Sequence, residues 1–233
     1  VAETLGAQVV RGARVWGGYG PTPTYRLLLA DGRRAFFKGT DPTSNGVMRS
    51  ALEREERVYR ELADLLGRWA PQCYGAFARD GWRALLLEDV GPRSAPPWSP
   101  TLVRNVAYDY AAFHAHTLGR DLPGWLARPP ESLARVTWER VAADANELQA
   151  VAQLATGEED AALRWLRDAT PLLTRLADAA ADLPGPYALL HNDTRSDNLR
   201  YARGRLILFD WPWTEVGRHE FDLVAFAQSV TVE

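Results

Sequence analysis

The segment His191-Asn192-Asp193-Thr194-Arg195-Ser196-Asp197-Asn198 gathers carboxylate, amide and imidazole groups directly after the apolar run Ala188-Leu189-Leu190. Asp210 stands twelve residues past Asn198, at the end of Leu206-Ile207-Leu208-Phe209. A hairpin between the two would bring Asp193, Asn198 and Asp210 to one end. Asn198 and Asp210 offer hard oxygen atoms, which suit Mg²⁺, an ion that takes few protein ligands and fills its shell with water and substrate phosphates. Asp193 is a separate carboxylate, placed to accept a proton from an attacking hydroxyl. The plainer account of this loop is a polar turn capped by Asp and Asn side chains.

Lys38 is the only lysine, so 26 of the 27 basic residues are arginine. A coding bias toward arginine explains the imbalance. Under such a bias a surviving lysine marks a place where a compact ammonium fits and a planar fork does not, such as a buried contact with phosphate or carboxylate. Chance survival explains it as well. If Lys38 faces a cleft between two lobes, its ammonium can meet the phosphates of a nucleotide, held by a carboxylate on the helix that follows. Of Glu53, Glu55 and Glu56, helical spacing puts Glu55 beside Leu52, Val58, Tyr59 and Leu62 on the packing face. Glu53 and Glu56 read as solvated charges, and an ordinary surface acid is the alternative for Glu55.

These residues need elements to place them. The first ninety residues read as β-rich: Ala7 to Trp16, Thr24 to Leu29 and Arg34 to Lys38, with the Gly-rich stretch Gly17-Gly18-Tyr19-Gly20-Pro21 after the first and Asp31-Gly32 as a hairpin turn. One helix is expected from Met48 to Leu66. A second hairpin follows, Tyr74 to Ala78 and Ala84 to Glu88, turning at Asp80-Gly81. Gly91-Pro92-Arg93-Ser94-Ala95-Pro96-Pro97 breaks regular structure and divides the chain. Beyond it the spacing predicts helices over Leu102 to Leu118, Leu133 to Leu154, Glu158 to about Leu183 and His219 to Ser229. The strands Leu199 to Ala202 and Arg205 to Phe209, turning at Arg203-Gly204, form one hairpin among them. The fold class is therefore α+β and bilobal: residues 1–90, a connector at 91–100, and a helical part at 101–233.

A strand lysine, a helix glutamate, an H-x-D-x-x-x-x-N loop and a strand-ending aspartate, in this order, resemble the protein-kinase-like fold. Within it, LLHNDTRSDNLR…LILFDW and LEREERVYREL are more similar to the aminoglycoside phosphotransferase and choline-kinase-like family, from about Gly17 onward. The resemblance implies a small-molecule kinase that uses ATP or GTP with Mg²⁺ and a hydroxyl acceptor. It implies Asp193 as the base, Asn198 and Asp210 as metal ligands, and Lys38 on the α- and β-phosphates, steadied by Glu55. It also implies that the backbone around Glu88, Asp89 and Val90 meets the nucleobase, that His191 braces the loop, and that Asp222 supports it without doing chemistry. The sequence departs from the pattern in four places. The Gly17–Gly20 stretch is not G-x-G-x-x-G, and Trp211-Pro212 follows Asp210 where protein kinases carry Phe-Gly. No A-P-E segment precedes the last helix, which argues against a protein substrate, and the family's later C-terminal helices have no counterpart here.

Composition sets the outer bounds. With 46% hydrophobic and 24% charged residues and a net charge of −3, the chain can build a core, and it has no basic excess to drive nucleic-acid binding. The single Cys73 excludes a disulfide framework and a cysteine-based zinc site. No apolar run is long enough to span a bilayer. A cytoplasmic protein with a small-molecule partner is the expectation. His114 and His116 read as packing residues. Two other functions fit parts of the pattern: a nucleotide-binding regulator without transfer activity, and a metal-dependent hydrolase using His191, Asp193 and Asp210. Around the cleft, Asp197, Glu215 and Glu220 are the acids available to a cationic acceptor.

Overall fold

The computed structural model describes residues 1–16, 22–92, 95, 97–129, 131, 138–202 and 204–231. The Gly-rich stretch 17–21, Arg93, Ser94, Pro96, Arg203 and the expected helix start at Leu133 lie outside them. A four-residue helix α1 (Ala2–Leu5) precedes strands β1 (Val9–Arg14), β2 (Thr24–Leu29) and β3 (Arg34–Thr40). Helix α2 (Gly46–Glu61) and the short α3 (Ala63–Leu66) follow, then β4 (Cys73–Arg79) and β5 (Trp82–Glu88). The five strands form one antiparallel sheet in the order β1-β2-β3-β5-β4. Both Asp-Gly turns are present. At the second, Asp80 and Gly81 have φ of 52° and 77°, the left-handed pair that a tight two-residue hairpin requires.

Successive side chains of β5 point to opposite faces of the sheet, and this separates two cores. Leu85 and Leu87 join the main core with Leu52, Val58, Tyr59 and Leu62, whereas Leu86 joins a smaller one with Leu5, Leu27, Leu29 and Ala35. The smaller core accounts for α1, which the sequence pattern missed. The main core continues into the helical half through Val106, Tyr110, Phe113, Leu206, Leu208 and Trp211, so α2 and the late hairpin are fixed to one apolar mass.

The helical half contains α4 (Pro100–Thr117), α5 (Trp138–Ala143), α6 (Ala145–Ala152), α7 (Glu159–Ala181) and α8 (Glu220–Thr231). Between α7 and α8 lie β6 (Ala188–Leu190), β7 (Leu199–Ala202), β8 (Arg205–Leu208) and β9 (Glu215–Gly217). Three expectations change. The helix expected over Met48 to Leu66 begins earlier, capped by the Asn45 side chain, and breaks at Leu62 (φ −114°, ψ 11°), where Leu62 and Leu66 both turn into the main core. The single helix expected to Leu154 is two helices, because the Asp144 carboxylate accepts from the Asn146 and Glu147 N–H groups and caps α6. The lone hairpin has a companion sheet, in which β6 pairs with β9; strands of three residues carry no periodic signal. Among the described residues no helix is long and apolar enough to cross a membrane.

Candidate functional site

Lys38 sits on β3, flanked in the sheet by Thr24 of β2 and Leu85 of β5. Its Nζ donates to Glu55 Oε2 and to Asp210 Oδ1, both at 2.6 Å. The ion pair therefore joins the sheet, helix α2 and the end of the late hairpin. Glu55 is 1% exposed and also accepts from the Trp211 N–H at 3.4 Å. Burial pushes its pKa up, while the Lys38 ammonium pulls the other way. For Lys38 the two carboxylates outweigh burial and raise its pKa, so the ammonium stays charged. Asp210 is held below the ordinary carboxylate range by Lys38, against the opposing effect of burial. Glu53 is exposed as expected. Glu56 is not, because it is half-buried and paired with Arg83.

The loop between β6 and β7 is built around Asp222, which is fully buried at the start of α8. Its carboxylate accepts the N–H groups of His191 (2.9 Å) and Asn192 (2.8 Å), and its own carbonyl accepts the Thr194 hydroxyl at 2.8 Å. The remaining partner is His114 of α4, whose Nε2 lies 3.0 Å from Asp222 Oδ2. His114 is thus a buried brace, more than the packing residue its helical spacing implied; no local pattern could reveal a contact 108 residues away. We expect Asp222→Ala to strand two buried N–H groups and to lower stability by about 3 kcal/mol, read by chemical denaturation. Glu215, one of the acids expected around the cleft, is buried and accepts from the Asn192 side chain at 3.0 Å.

His191 is fully buried and uses both ring nitrogens: Nε2 donates to the Phe209 carbonyl (3.1 Å) and Nδ1 accepts the Asp193 N–H (3.2 Å). This pattern requires the neutral ring, and burial lowers its pKa against the pull of Asp222, Asp193 and Asp210. The unfolded chain therefore binds a proton below pH about 6.5 that the folded chain refuses. Stability is full above that pH and falls as pH drops toward the depressed folded value. Thermal melts should show this acid limb, and His191→Asn should flatten it.

Asp193 is gripped from two sides. Arg195 Nε donates to Oδ1 at 2.7 Å and Nη2 to Oδ2 at 3.3 Å, while Asn198 Nδ2 donates to Oδ2 at 2.8 Å. Arg195 was not among the expected site residues; its only signal was an arginine two positions beyond the aspartate. Because the Asn198 amide nitrogen serves Asp193, its Oδ1 is the atom left to a ligand. Among the described residues neither Asn198 Oδ1 nor Asp210 Oδ2 accepts a hydrogen bond. Two hard oxygens of this kind fit Mg²⁺. No group of three or more His, Cys, Asp or Glu side chains able to hold a metal occurs among the described residues. With both His191 nitrogens engaged, the hydrolase reading loses its ligand set. Two residues at the site have left-handed backbone, Asn192 (φ 63°) and Asp210 (φ 70°), a conformation that Asn and Asp tolerate best after glycine.

Lys38, Glu55, Asn198 and Asp210 line one cavity of about 430 Å³, which runs to Glu88 and Val90 beside the connector. Asp193 is not among the lining residues and is tied to them by its hydrogen bond from Asn198. A sheet-borne lysine paired to a helix glutamate, facing a loop Asp, a loop Asn and a strand-ending Asp, defines a bilobal protein-kinase-like phosphotransferase fold. The model of the phosphotransferase enzyme family (APH) matches residues 12–232. The chain belongs to that family.

Solved structures agree on the fold. A candidate fructosamine-3-kinase from Thermobifida fusca YX-ER1 is 25% identical, with TM-score 0.55 over 98% of this chain and 76% of that one. A thermostable mutant of aminoglycoside phosphotransferase APH(4)-Ia is 16% identical, with TM-score 0.62 over 99% of this chain and 80% of that one. Amicoumacin kinase hAmiN, in complex with AMP-PNP, Ca²⁺ and Ami, is 16% identical, with TM-score 0.62 over 96% of this chain and 65% of that one. No curated protein matches the chain by sequence.

Proposed function

We propose that this protein is a small-molecule kinase that transfers the γ-phosphoryl group of ATP or GTP to a hydroxyl of a small acceptor. The observation that carries the reading is the Lys38 ammonium bridging Glu55 and Asp210 at 2.6 Å, inside a cavity that also reaches Asn198 and the connector. The nucleoside triphosphate would lie with its base at the backbone of Glu88 to Val90 and its phosphates toward Lys38. Residues 1–90 would supply the phosphate grip, 91–100 the connector, and 101–233 the acceptor side. The solved hAmiN complex with AMP-PNP supports a nucleotide in this fold.

Asn198 Oδ1 and Asp210 Oδ2 would hold Mg²⁺, which when bound draws off negative charge from the phosphates. The Asp193 carboxylate takes the proton of the acceptor hydroxyl as that oxygen bonds to the γ-phosphorus. The bond from the γ-phosphorus to its bridging oxygen breaks, and the nucleoside diphosphate leaves. Arg195 and Asn198 fix the orientation of Asp193, and Lys38 offsets charge on the departing phosphates. Catalysis of this kind rests on positioning and preorganised charge. The test is a panel of hydroxyl-bearing acceptors (aminoglycosides, choline-like alcohols and sugars) incubated with γ-labelled ATP or GTP and Mg²⁺. Label transferred to an acceptor hydroxyl is the expected result. Nucleotide binding with no transfer to any acceptor class would favour the regulatory reading.

A further inference from the structure

Helix α2 takes part in a second hollow. A groove of about 790 Å³ is lined by the first three turns of α2, by Pro212 and Trp213, and by Trp125. None of its lining residues lines the nucleotide cavity. Its surface is apolar and cationic together. Val47 (71% exposed) and Trp213 (41% exposed) are large apolar side chains left facing solvent. The Arg54 and Arg57 guanidinium groups lie over the Trp125 ring, 5.9 and 4.3 Å from its centroid. Arg54 Nη2 donates to the Thr214 carbonyl at 2.8 Å, and Arg57 Nε to Glu61 at 3.1 Å. Among the described residues, the terminal nitrogens of Arg57 and Nη1 of Arg54 meet no acceptor. The acid among the lining residues, Glu53, is paired with Arg83 at 3.2 Å. A guanidinium edge suits a planar anion such as a carboxylate, and exposed indole and aliphatic surface beside it suits a flat apolar body. A bare phosphate would leave the indoles uncovered. A neutral ring would leave the guanidinium edges without an acceptor.

We propose that this groove binds a small aromatic carboxylate, and that its occupant steadies α2 against the segment that follows Asp210. Glu55 is on α2, and Trp213 stands three residues beyond Asp210. The Trp213 carbonyl accepts from the side chain of Asn192, the neighbour of Asp193, at 3.1 Å. Arg54 already ties α2 to that segment through Thr214. A ligand that touches both walls favours the arrangement in which Lys38 holds Glu55 and Asp210, because it binds that arrangement more tightly than any other. The site stands on the groove alone; its effect on catalysis rests on the kinase reading above.

The probe is 2-naphthoate, titrated calorimetrically into the full chain, with 2-naphthamide as its uncharged counterpart. The acid should bind about 10-fold more tightly than the amide, as a charge-assisted hydrogen bond provides. Arg57→Gln should remove most of that preference. Like-charge repulsion in Val47→Glu should weaken 2-naphthoate about 5-fold, while Val47→Lys stays within about twofold. Both positions are exposed, and far-UV circular dichroism checks that the variants are folded. Bound 2-naphthoate should slow hydrogen exchange in α2 and in residues 211–214, and lower the KM for ATP in the transfer assay. No binding of 2-naphthoate, equal affinity for acid and amide, or full affinity in Arg57→Gln would overturn the site. Binding that leaves exchange in both walls unchanged would overturn the steadying role, and so would inhibition competitive with the acceptor, which would put the acceptor in the groove. If 2-naphthoate bound and slowed exchange in a chain that transferred phosphate to no acceptor, the site would stand and the kinase reading would fall.

Discussion

Asp193→Asn is expected to lower phosphoryl transfer about 10²- to 10⁴-fold, the usual worth of a positioned general base. Nucleotide binding should stay near the unsubstituted value, because Asp193 makes its contacts with Arg195 and Asn198 and is not among the residues lining the cavity. The isosteric amide keeps the loop in place: the Asp193 N–H still donates to His191. A kcat loss without a matching change in nucleotide Kd separates a proton acceptor from a structural residue. An Asp193→Asn enzyme that turns over at the original rate removes the base from the account.

Lys38→Met should have the second large effect, on both activity and stability. Transfer is expected to fall about 10²- to 10³-fold, as when a preorganised charge is removed from a transition state. The methionine also leaves Glu55, 1% exposed, beside Asp210 with no cation between them. Removing one partner of a buried pair costs about 3–5 kcal/mol. The Asp210 arm contributes the smaller part, since that carboxylate is 40% exposed and screened by solvent. Without Lys38 the Glu55 pKa rises further, and the folded chain then holds a proton that the unfolded chain has released. The Lys38→Met variant should therefore lose stability as pH rises from the ordinary carboxylate range toward neutrality. Adding Glu55→Gln should restore most of that stability and none of the activity, a combination that denaturation and transfer assays together can read.

The residues that meet at the site were legible in the sequence because each carried its own local signal. Lys38 stood out as the lone lysine at a strand end, Glu55 through the helical face it shares with Leu52 and Val58, and Asn198 and Asp210 through a hairpin of readable length. The contacts that hold them were not legible. His114 reaches Asp222 from 108 residues away, and Trp211 packs its ring 4.4 Å from His191 while its N–H meets Glu55. Only tertiary packing makes such pairs. The break in the helix at Leu62 and the cap at Asp144 were missed for a related reason: apolar spacing continues across both, and backbone geometry decides where a helix ends. Arg195 looks like an ordinary member of an arginine-rich chain, and only its bonded edge distinguishes it.

The most direct test of the central claim is calorimetric titration of ATP into the protein with Mg²⁺ and again with EDTA, for the unsubstituted chain and for Asp210→Asn. A phosphate chain gripped between Lys38 and a cation on Asn198 and Asp210 predicts tight binding with Mg²⁺, marked weakening with EDTA, and no response to Mg²⁺ in Asp210→Asn. Equal ATP affinity with and without the divalent ion in the unsubstituted chain would contradict it.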